Sequence, residues 1–403
     1  MRTLPPIIPP MVQMGKLTID APFFQAGLAG YSDAAMRLVA RRHGAPFAVT
    51  EAMLDQFLIN GGRGLEAAEL DDADHPIAGQ LMGSHPEEIA AGAKILVGLG
   101  YDVIDINLAC PVKKIRKKAR GGHLMSVPDE AIAILDAVRQ AVGDDRPCTV
   151  KLRRGTDDTA EAERNFHEIF EAVIHLGYVG AVVHGRTVEQ KYVGPSRWEF
   201  LRNIVQQYGQ KRSGVPSPES RVKGTVSNVL TPDSGLRALD FPFLIGGSGD
   251  IWTATDIFRM IRETGVQLVS VARGCIGNPW IFRQARAMMA GDLAAADRAP
   301  TIGEQREVLL DHFQLSVEQH GEKKAGMMMR KFGIKFSRHH PEGAEIAKAF
   351  IAVKSLDDWR AVLDSFYTDT DRPGVVSMPT GAAEAACGEP VGEAEEECAC
   401  GTI

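Results

Sequence analysis

The sequence lacks the features that mark secreted and membrane-spanning proteins. No apolar run reaches the length of about 20 residues that a bilayer requires. The first seventeen residues, MRTLPPIIPPMVQMGKL, contain four prolines and lack the order of charged, apolar and cleavage segments found in a secretory signal. The six cysteines do not form a disulfide framework, because three of them lie in the last seventeen residues. We therefore expect a cytoplasmic protein with reduced thiols and no membrane contact.

Two common binding motifs are also missing. No pair of histidines or carboxylates in the body of the chain has metal-ligand spacing, so we expect no metal site there. No Gly-x-Gly-x-x-Gly follows the first predicted strand, which disfavours a doubly wound dinucleotide-binding sheet. Cys387, Cys398 and Cys400 near the end of the chain could bind a soft metal in principle. Three ligands in a segment with almost no large apolar side chains make this the weaker interpretation.

The acidity of the chain is confined to one end. Its net charge is −7, and from Asp369 onward there are eight acidic residues and one basic residue. Residues 1–368 are therefore neutral overall, with basic clusters at 113–120 and 323–338. The negative net charge does not exclude a nucleic acid as partner, since the distribution of charge decides what a surface attracts.

Short apolar runs alternate with amphipathic segments through the first 300 residues. The predicted strands are 23–27, 47–52, 77–81, 102–107, 148–152, 180–185, 242–247 and 268–272. Predicted helices between them include 86–97, 128–142, 160–176 and 252–263. Eight strands in strict alternation with helices predict an α/β protein with a (β/α)8 TIM barrel.

The same patterns divide the chain into three predicted parts. Residues 1–300 form the TIM-barrel catalytic domain, which carries a long polar insertion at 208–235 between the sixth and seventh strands. Residues 301–368 contain helical patterns only and predict a small C-terminal helical domain. Residues 369–403 are rich in Gly, Ala, Pro and Glu, which predicts a disordered acidic tail.

Polar groups recur where the predicted strands stop, which is where barrel enzymes place their active sites. A single polar strand end is ordinary, and His184 alone would be interpreted as a satisfied core histidine. Recurrence at seven strand ends favours a site. GGSGD after the seventh strand and ARG after the eighth offer small residues and one guanidinium, which predicts a phosphate-binding cradle.

Cys110 lies in the most distinctive stretch, DINLACPVKKIRKKARGGHLM at residues 105–125. Six of the eight residues after Val112 are Lys or Arg, so the loop predicts a polyanionic partner. Most cysteines outside disulfides are buried structural thiols. Here Pro111 ends the strand, and the following loop is too polar to cover a core. Nearby cations favour the thiolate form unless a bound polyanion neutralises them.

This stretch resembles the signature of tRNA-dihydrouridine synthases, flavin enzymes that reduce a uridine in tRNA. The resemblance runs from about residue 20 to about residue 366. It includes, in the order of that family, AGLAGYSDAAMR, TEAM, GQLMGSHPEEIAAGA, VKLRRGTDD, VVHGRT, GSGDI and ARGCIGNPWIF. The resemblance implies a barrel that binds FMN, an NADPH reductant, and a C-terminal helical domain that binds tRNA.

The resemblance also implies roles for individual residues. Cys110 is the expected proton donor to C5 of the uracil, and Asn107 is expected beside that base. The expected FMN contacts are Gly27, Leu28, Ala29, Gln80, Lys151 and His184, with Ser248, Gly249, Asp250, Ala272 and Arg273 around the phosphate. The expected tRNA contacts are Lys113, Lys114, Arg116, Lys117, Arg153, Arg186, Arg330 and Lys331.

The chain departs from the family pattern at several positions. The family usually has Pro-Met at Gly27-Leu28, Asn at Ser248 and Gly at Ala272. These departures weaken the expected flavin contacts without removing them, because most are made by backbone atoms. Two alternatives stay open: an FMN-dependent reductase or dehydrogenase of a free pyrimidine, and an RNA-binding protein without catalysis on the same scaffold. We expect a monomer, and the sequence does not identify which uridine is modified.

Overall fold

A computed structural model of the chain describes residues 11–210 and 242–376. Parts of two predicted segments lie outside these residues: positions 211–235 of the insertion, and the tail from 377 onward, with Cys387, Cys398 and Cys400. The strands are β1 Val12–Met14, β2 Leu17–Ile19, β3 Phe23–Gln25, β4 Ala48–Val49, β5 Met53–Leu54, β6 Ile77–Met82, β7 Val103–Asn107, β8 Cys148–Arg153, β9 Gly180–His184, β10 Leu244–Ser248 and β11 Leu268–Val271.

Helices lie between the strands as far as β11, and after that strand the described elements are helical. The helices are α1 Ala34–Arg42, α2 Asp55–Ile59, α3 Arg63–Glu66, α4 Pro86–Gly98, α5 Lys113–Arg116, α6 Pro128–Val142, α7 Ala160–His175, α8 Trp198–Tyr208, α9 Ala254–Thr264, α10 Trp280–Met289, α11 Leu293–Asp297, α12 Ile302–His320, α13 Glu322–Phe336, α14 Gly343–Ala352 and α15 Leu356–Phe366.

Eight of the strands form a closed parallel barrel, which confirms the predicted TIM barrel. Strands β6 to β11 pair in sequence order, β11 pairs with β3, and β4 closes the ring by pairing with both β3 and β6. The short strand β5 continues the line of β4 and extends its pairing with β6, with Met53 opposite Leu81. The carboxyl ends of all eight strands therefore meet at one end of the barrel.

The apolar residues form two separate clusters, as the alternation of side chains along each strand requires. One cluster lies between the strands and the surrounding helices and includes Ile104, Ile106 and Val150. The other lies inside the barrel. Its members are Val12, Met14, Ile19, Phe24, Phe47, Val49, Ala78, Val103, Val179, Val182, Leu244 and Leu268. The antiparallel hairpin of β1 and β2, which was not predicted from the sequence, supplies three residues to this inner cluster.

Helices α12 and α13 contact the barrel, and α14 and α15 pack on α13. The helix α12 begins with a capping box in which Thr301 and Glu304 satisfy each other's backbone N–H groups. Its far end contacts α1, where Gln319 accepts a hydrogen bond from the Ala35 N–H and Arg42 forms an ion pair with Asp311. The predicted helical content after residue 301 is confirmed. The division into independent domains stays a prediction.

The described part of the chain shows neither a membrane-spanning helix nor a metal site. No helix within residues 11–210 and 242–376 is long and apolar enough to cross a bilayer. Over the same residues, no cluster of three or more His, Cys, Asp or Glu side chains has the geometry to hold a metal ion.

Candidate active site

A row of polar side chains crosses the inside of the barrel above the apolar inner cluster. Gln80 lies opposite Asp105 in the pairing of β6 with β7, and Asp105 lies opposite Thr149 in the pairing of β7 with β8. Because side chains alternate along a strand, residues two positions further on also face inward. A second row, closer to the carboxyl ends of the strands, contains Asn107 and Lys151.

Hydrogen bonds connect these two rows to Cys110. The Gln80 Nε2 donates to Asp105 Oδ2 at 2.7 Å, and Asn107 Nδ2 donates to Gln80 Oε1 at 2.7 Å. The Asn107 Oδ1 accepts from the backbone N–H groups of Ala109 at 2.9 Å and Cys110 at 3.1 Å. Asn107 therefore holds the turn that follows β7 and carries Cys110.

The Cys110 side chain is half-buried and packs against a glycine turn. The Gly122 N–H donates to the Cys110 carbonyl at 2.9 Å. Gly121 has φ 57°, and a Cβ built on it would lie 2.9 Å from the Cys110 Cβ. A side chain at position 121 would be strained and would displace Cys110. The two glycines of GGHLM thus allow close approach to the predicted proton donor.

Several buried polar atoms near the carboxyl ends of the strands have no hydrogen-bond partner in the described part of the chain. Two of them, Lys151 Nζ and His184 Nδ1, lie on the neighbouring strands β8 and β9. Burial, reinforced by Arg153, lowers the pKa of Lys151 from 10.5 to about 7, although Asp105 partly opposes the shift. Burial and four neighbouring cations hold the pKa of His184 well below its usual value. Buried polar atoms normally have partners, so this pair marks a place where a ligand could bind.

Two predicted tRNA contacts, Arg153 and Arg186, are buried and engaged within the protein. Arg153 donates to the carbonyls of Ala109 at 2.9 Å, Thr187 at 2.7 Å and Lys191 at 2.8 Å. It therefore links the Cys110 turn to the loop after β9. Arg186 donates from Nη2 to both carboxylate oxygens of Asp250, at 2.7 Å and 3.0 Å. Both guanidiniums hold loops of the barrel mouth together, whatever further contact they make with a substrate.

The ends of β10 and β11, where the sequence predicts a phosphate cradle, lie side by side. Ser248 is buried at the end of β10. Gly249 follows with φ 111°, and a Cβ there would lie 2.4 Å from Ser196 Oγ. Arg273 follows Ala272 at the end of β11, with its guanidinium carbon 5.0 Å from the centre of the Tyr192 ring and 4.8 Å from that of Trp252. Cation–π contacts of this length hold the Arg273 head at the mouth.

The loop after β3 contains Gly27, Leu28 and exposed Ala29. A Cβ on Gly27 would lie 2.1 Å from the Thr50 carbonyl oxygen. The proline that the family usually has at this position would therefore not fit the present backbone. Gly30 donates its N–H to Glu51 Oε2 at 2.8 Å, and its carbonyl accepts from Lys331 Nζ. Lys331 thus connects helix α13 to the predicted flavin loop.

The basic loop after Cys110 presents most of its cations to solvent. Lys113, Lys114, Lys117 and Lys118 are exposed, and Arg116 is half-buried. Arg120 is buried instead, with its NH2 group 3.6 Å from Asp55 Oδ1. In the helical region Lys323, Lys324 and Arg338 are exposed, whereas Arg330 is half-buried with its Nε buried.

Two residues of the site, Asp105 and Thr149, were not predicted from the sequence. Thr149 Oγ1 donates to Asp105 Oδ1 at 2.6 Å, so these two residues and Gln80 form one buried cluster. The signal was present in VIDIN, where Asp105 and Asn107 occupy alternate positions of an otherwise apolar strand. An acidic residue on the inner face of a buried strand is unusual enough to suggest a role.

Comparison with known proteins gives consistent matches over most of the chain. The family model for dihydrouridine synthases matches residues 24–209 and 238–368. A probable tRNA-dihydrouridine synthase 1 of Synechocystis is 28% identical over 355 residues, which cover 88% of each chain. The tRNA-dihydrouridine synthase B of Xanthomonas campestris is 29% identical over 339 residues, which cover 83% of this chain and 89% of the relative.

Solved structures show a similar fold at much lower identity. Histamine dehydrogenase from Rhizobium sp. 4-9 matches with a TM-score of 0.50 and 15% identity, over 77% of this chain and 51% of that one. The 6-hydroxypseudooxynicotine amine oxidase of Pseudomonas geniculata N1 matches with a TM-score of 0.51 and 12% identity, over 76% and 52% respectively. The matched region thus spans about half of each of these chains, and the likeness concerns the fold alone.

Proposed function

The chain belongs to the dihydrouridine synthase family, whose flavin-dependent reaction reduces uridines in tRNA to 5,6-dihydrouridine, and we propose that here FMN is the flavin, NADPH its reductant and Cys110 the proton donor. The observation that carries this proposal is the joint position of Cys110, Lys151 and His184. Lys151 and His184 lie at the carboxyl ends of β8 and β9, and Cys110 follows the end of β7. Lys151 Nζ and His184 Nδ1 are buried without a hydrogen-bond partner in the described part of the chain.

The residues present fit a bound flavin mononucleotide. Lys151 Nζ and His184 Nδ1 are buried donors or acceptors that a heteroaromatic ring could satisfy. Ser248, Gly249 and Arg273 offer small residues and a cation to a phosphate group at the ends of β10 and β11. The Asp250 carboxylate does not repel a phosphate strongly, since Arg186 forms an ion pair with it at 2.7 Å.

When bound, the reduced flavin supplies a hydride to C6 of the uracil, and NADPH restores its electrons. The chain must supply the remaining proton to C5 so that the C5–C6 double bond becomes a single bond. Cys110 is suited to this task because it is half-buried on a turn that Asn107 holds from below. Asn107 keeps one N–H of its amide for a further contact, after donating the other to Gln80.

The proposed role requires Cys110 to carry a proton, although the neighbouring basic loop favours the thiolate. Lys113, Lys114, Lys117 and Lys118 are exposed close to Cys110 in the chain. Phosphates of a bound tRNA would pair with these side chains and reduce their effect on the thiol. The target uridine must leave its stack to enter the barrel mouth, as bases do in other enzymes that act on them.

Reduction of a free pyrimidine is the less favoured activity for this chain. A small substrate does not require the exposed lysines of the 113–118 loop or the cations of α13. The relatives that match over most of this chain are named as tRNA enzymes. Activity on uracil or uridine at a rate comparable with that on tRNA would support the small-molecule alternative instead.

The proposal is tested by separating the two half-reactions. The purified protein should be yellow, release FMN on denaturation, and lose its flavin absorbance when NADPH is added without oxygen. Addition of tRNA that lacks dihydrouridine should restore the absorbance and produce dihydrouridine. A protein that binds FMN and oxidises NADPH but never reoxidises on such tRNA would contradict the proposed substrate.

A further inference from the structure

A chain of hydrogen bonds leads from a buried carboxylate to Cys110. Thr149 Oγ1 donates to Asp105 Oδ1 at 2.6 Å, and Gln80 Nε2 donates to Asp105 Oδ2 at 2.7 Å. Asn107 Nδ2 then donates to Gln80 Oε1 at 2.7 Å, and Asn107 Oδ1 accepts from the Cys110 N–H at 3.1 Å. In each step between Cys110 and Asp105, the donor is the group nearer to Cys110.

The two ends of this hydrogen-bond chain, the Asp105 carboxylate and the Cys110 N–H, fix the orientation of both amides between them. An ionised carboxylate only accepts hydrogen bonds, so Gln80 must present its NH₂ group to Asp105 and its oxygen to Asn107. A backbone N–H only donates, so Asn107 must present its oxygen to Ala109 and Cys110. Both requirements give the same orientation of Gln80 and Asn107. A group of the opposite polarity at position 105 would bring the two ends into conflict.

Stability alone does not explain an acid at this position. The Asp105 side chain is only 5% exposed, and the inner cluster directly below it is apolar. Burial raises its pKa, against the effect of Thr149, Gln80 and Lys151. An apolar residue of similar size would avoid the desolvation of a carboxylate. What an apolar residue cannot do is dictate which way the Gln80 amide faces.

We propose that Asp105 is a positioning residue for Cys110, acting through the amide orientations of Gln80 and Asn107. The inference rests on the proposed function only where Cys110 is called a proton donor, since the position of the thiol can be measured without any reaction. Two hydrogen-bonded amides connect Asp105 to the Cys110 N–H. The effect of Asp105 is to keep the turn at 107–110, and with it Cys110, in one arrangement.

The first variant to measure is Asp105→Asn, which keeps size and reverses the polarity of one atom. Where Thr149 keeps donating, the new amide gives it the oxygen, and the NH₂ group then faces Gln80 and forces that amide to flip. The flipped Gln80 then presents its NH₂ group to Asn107. If the Asn107 oxygen turns to accept from Gln80, it can no longer accept from the Cys110 N–H. Because the Thr149 hydroxyl can also accept, Asp105→Leu, which offers Gln80 no acceptor at all, is measured beside Asp105→Asn. In the flavin-loaded protein we expect the alkylation rate of Cys110 by iodoacetamide to change by several-fold. Peptide mass spectrometry measures the alkylation of Cys110 separately from that of the other cysteines.

The same variant should slow reoxidation of the reduced flavin by tRNA by about 100-fold, the loss that a displacement of about 1 Å causes at a reacting group. Flavin reduction by NADPH should be affected much less, since it does not need Cys110. Thr149→Val is the matched control, because it removes a hydrogen bond from the same carboxylate without reversing any polarity. Its alkylation rate should stay within about two-fold of the wild type, as expected for a contact that only stabilises.

A second substitution should restore the hydrogen bonds between position 105 and Cys110. In the double variant Asp105→Asn with Gln80→Glu, the carboxylate at 80 accepts from the amide at 105 and from Asn107 Nδ2, so Asn107 recovers its orientation. We expect the Cys110 alkylation rate to return to within about two-fold of the wild type. Turnover is not the measure of rescue, since Gln80 belongs to the proposed flavin site.

The outcomes separate this inference from the proposed function. A wild-type protein that does not act on tRNA contradicts the proposed function, while the alkylation rates still report on the position of Cys110. Wild-type alkylation in both Asp105→Asn and Asp105→Leu, or a change in Asp105→Asn that Gln80→Glu does not reverse, overturns the positioning role. Should Asp105→Asn alone fail to fold, the double variant and Thr149→Val still decide: the inference requires both to fold with near wild-type alkylation.

Discussion

The two ends of the barrel interior are built from the same strands but hold opposite kinds of side chain. At the amino-terminal end, Val103, Leu244 and Leu268 are packed with the β1–β2 hairpin in an apolar cluster. Two to four residues further along the same strands lie Asp105, Asn107 and Ser248, and the neighbouring strands add Lys151. The amino-terminal end is apolar, and the carboxyl-terminal end is polar.

The difference separates the residues that stabilise the barrel from those that perform its chemistry. The apolar end gains the free energy of burial without any polar atom to satisfy. The polar end buries Lys151 Nζ and His184 Nδ1 without partners in the described part of the chain, which costs stability. Such a cost is typical of active sites, where groups are arranged for a ligand instead of for the empty protein.

The largest effect that we expect at the polar end comes from Cys110→Ser. Serine keeps size and hydrogen bonding but is a much weaker acid than a thiol, so the tRNA half-reaction should slow by about 10²–10⁴-fold. Flavin content and NADPH oxidation should survive, as anaerobic absorbance measurements of each half-reaction will show. The matched control is Cys148→Ser, since Cys148 is buried and burial raises its pKa to about 12. A Cys110→Ser protein with wild-type tRNA reoxidation excludes the proton-donor role.

At the apolar end the expected effect is on stability. Leu268 is fully buried in the inner cluster, and Leu268→Ala should lower the free energy of unfolding by about 2–5 kcal/mol. The folded molecules should still bind as much flavin per molecule as the wild type and catalyse the reaction at close to the wild-type rate. Urea denaturation and the flavin content per folded molecule provide the test. A selective loss of flavin at unchanged stability would show that the two ends are not separable.

The contrast between the ends also explains how much the sequence could predict. All eight barrel strands and the helix at 128–142 were predicted, because alternation and helix-start signals are local properties of the chain. The β1–β2 hairpin was missed because strands of three residues give too short a pattern, and its apolar residues are buried by strands distant in the sequence.

Contacts within the site were less predictable for the same physical reason. The residue types at the strand ends were visible, but the partners depend on the register between strands. The expected tRNA contact of Arg186 stays a prediction, and its bond to Asp250, 64 residues away, was not foreseen. The same holds for Lys331, which binds the Gly30 carbonyl, 301 residues away. A sequence identifies a guanidinium or an ammonium at the site without showing which acceptor it meets.

Lys151→Met should weaken FMN binding and raise the stability of the flavin-free protein. Loss of a buried charged partner should weaken FMN binding by about 10–100-fold, which corresponds to the roughly 1.5–3 kcal/mol of a charged hydrogen bond. The flavin-free variant should unfold at a higher temperature than the flavin-free wild type near pH 7, since it no longer buries an ammonium. Fluorescence titration with FMN and thermal unfolding measure the two effects.

The pH dependence of the flavin-free protein sharpens that prediction. Burial lowers the pKa of Lys151 to about 7 in the folded state, whereas the unfolded side chain keeps a pKa near 10.4. The unfolded chain therefore binds more protons between these two values, so the contribution of Lys151 to stability rises from about pH 7 to about pH 10. Lys151→Met should remove this rise. An identical pH profile in the variant would show that the ammonium is not desolvated.

The smallest effect is expected outside the barrel, where Lys323 and Lys324 lie exposed at the start of α13. If this end of α13 faces RNA, reversing both charges to Glu should weaken tRNA binding several-fold at low salt. For every lysine that pairs with a phosphate, its reversal should reduce the slope of log affinity against log salt by about 1.

Lys348→Glu with Lys354→Glu is the control, since both residues are exposed and the change in net charge is the same. Because long-range attraction depends on net charge, the control should lower affinity slightly, while only the α13 pair should flatten the salt dependence. Equal slopes for the two double variants would mean that Lys323 and Lys324 form an ordinary solvated surface.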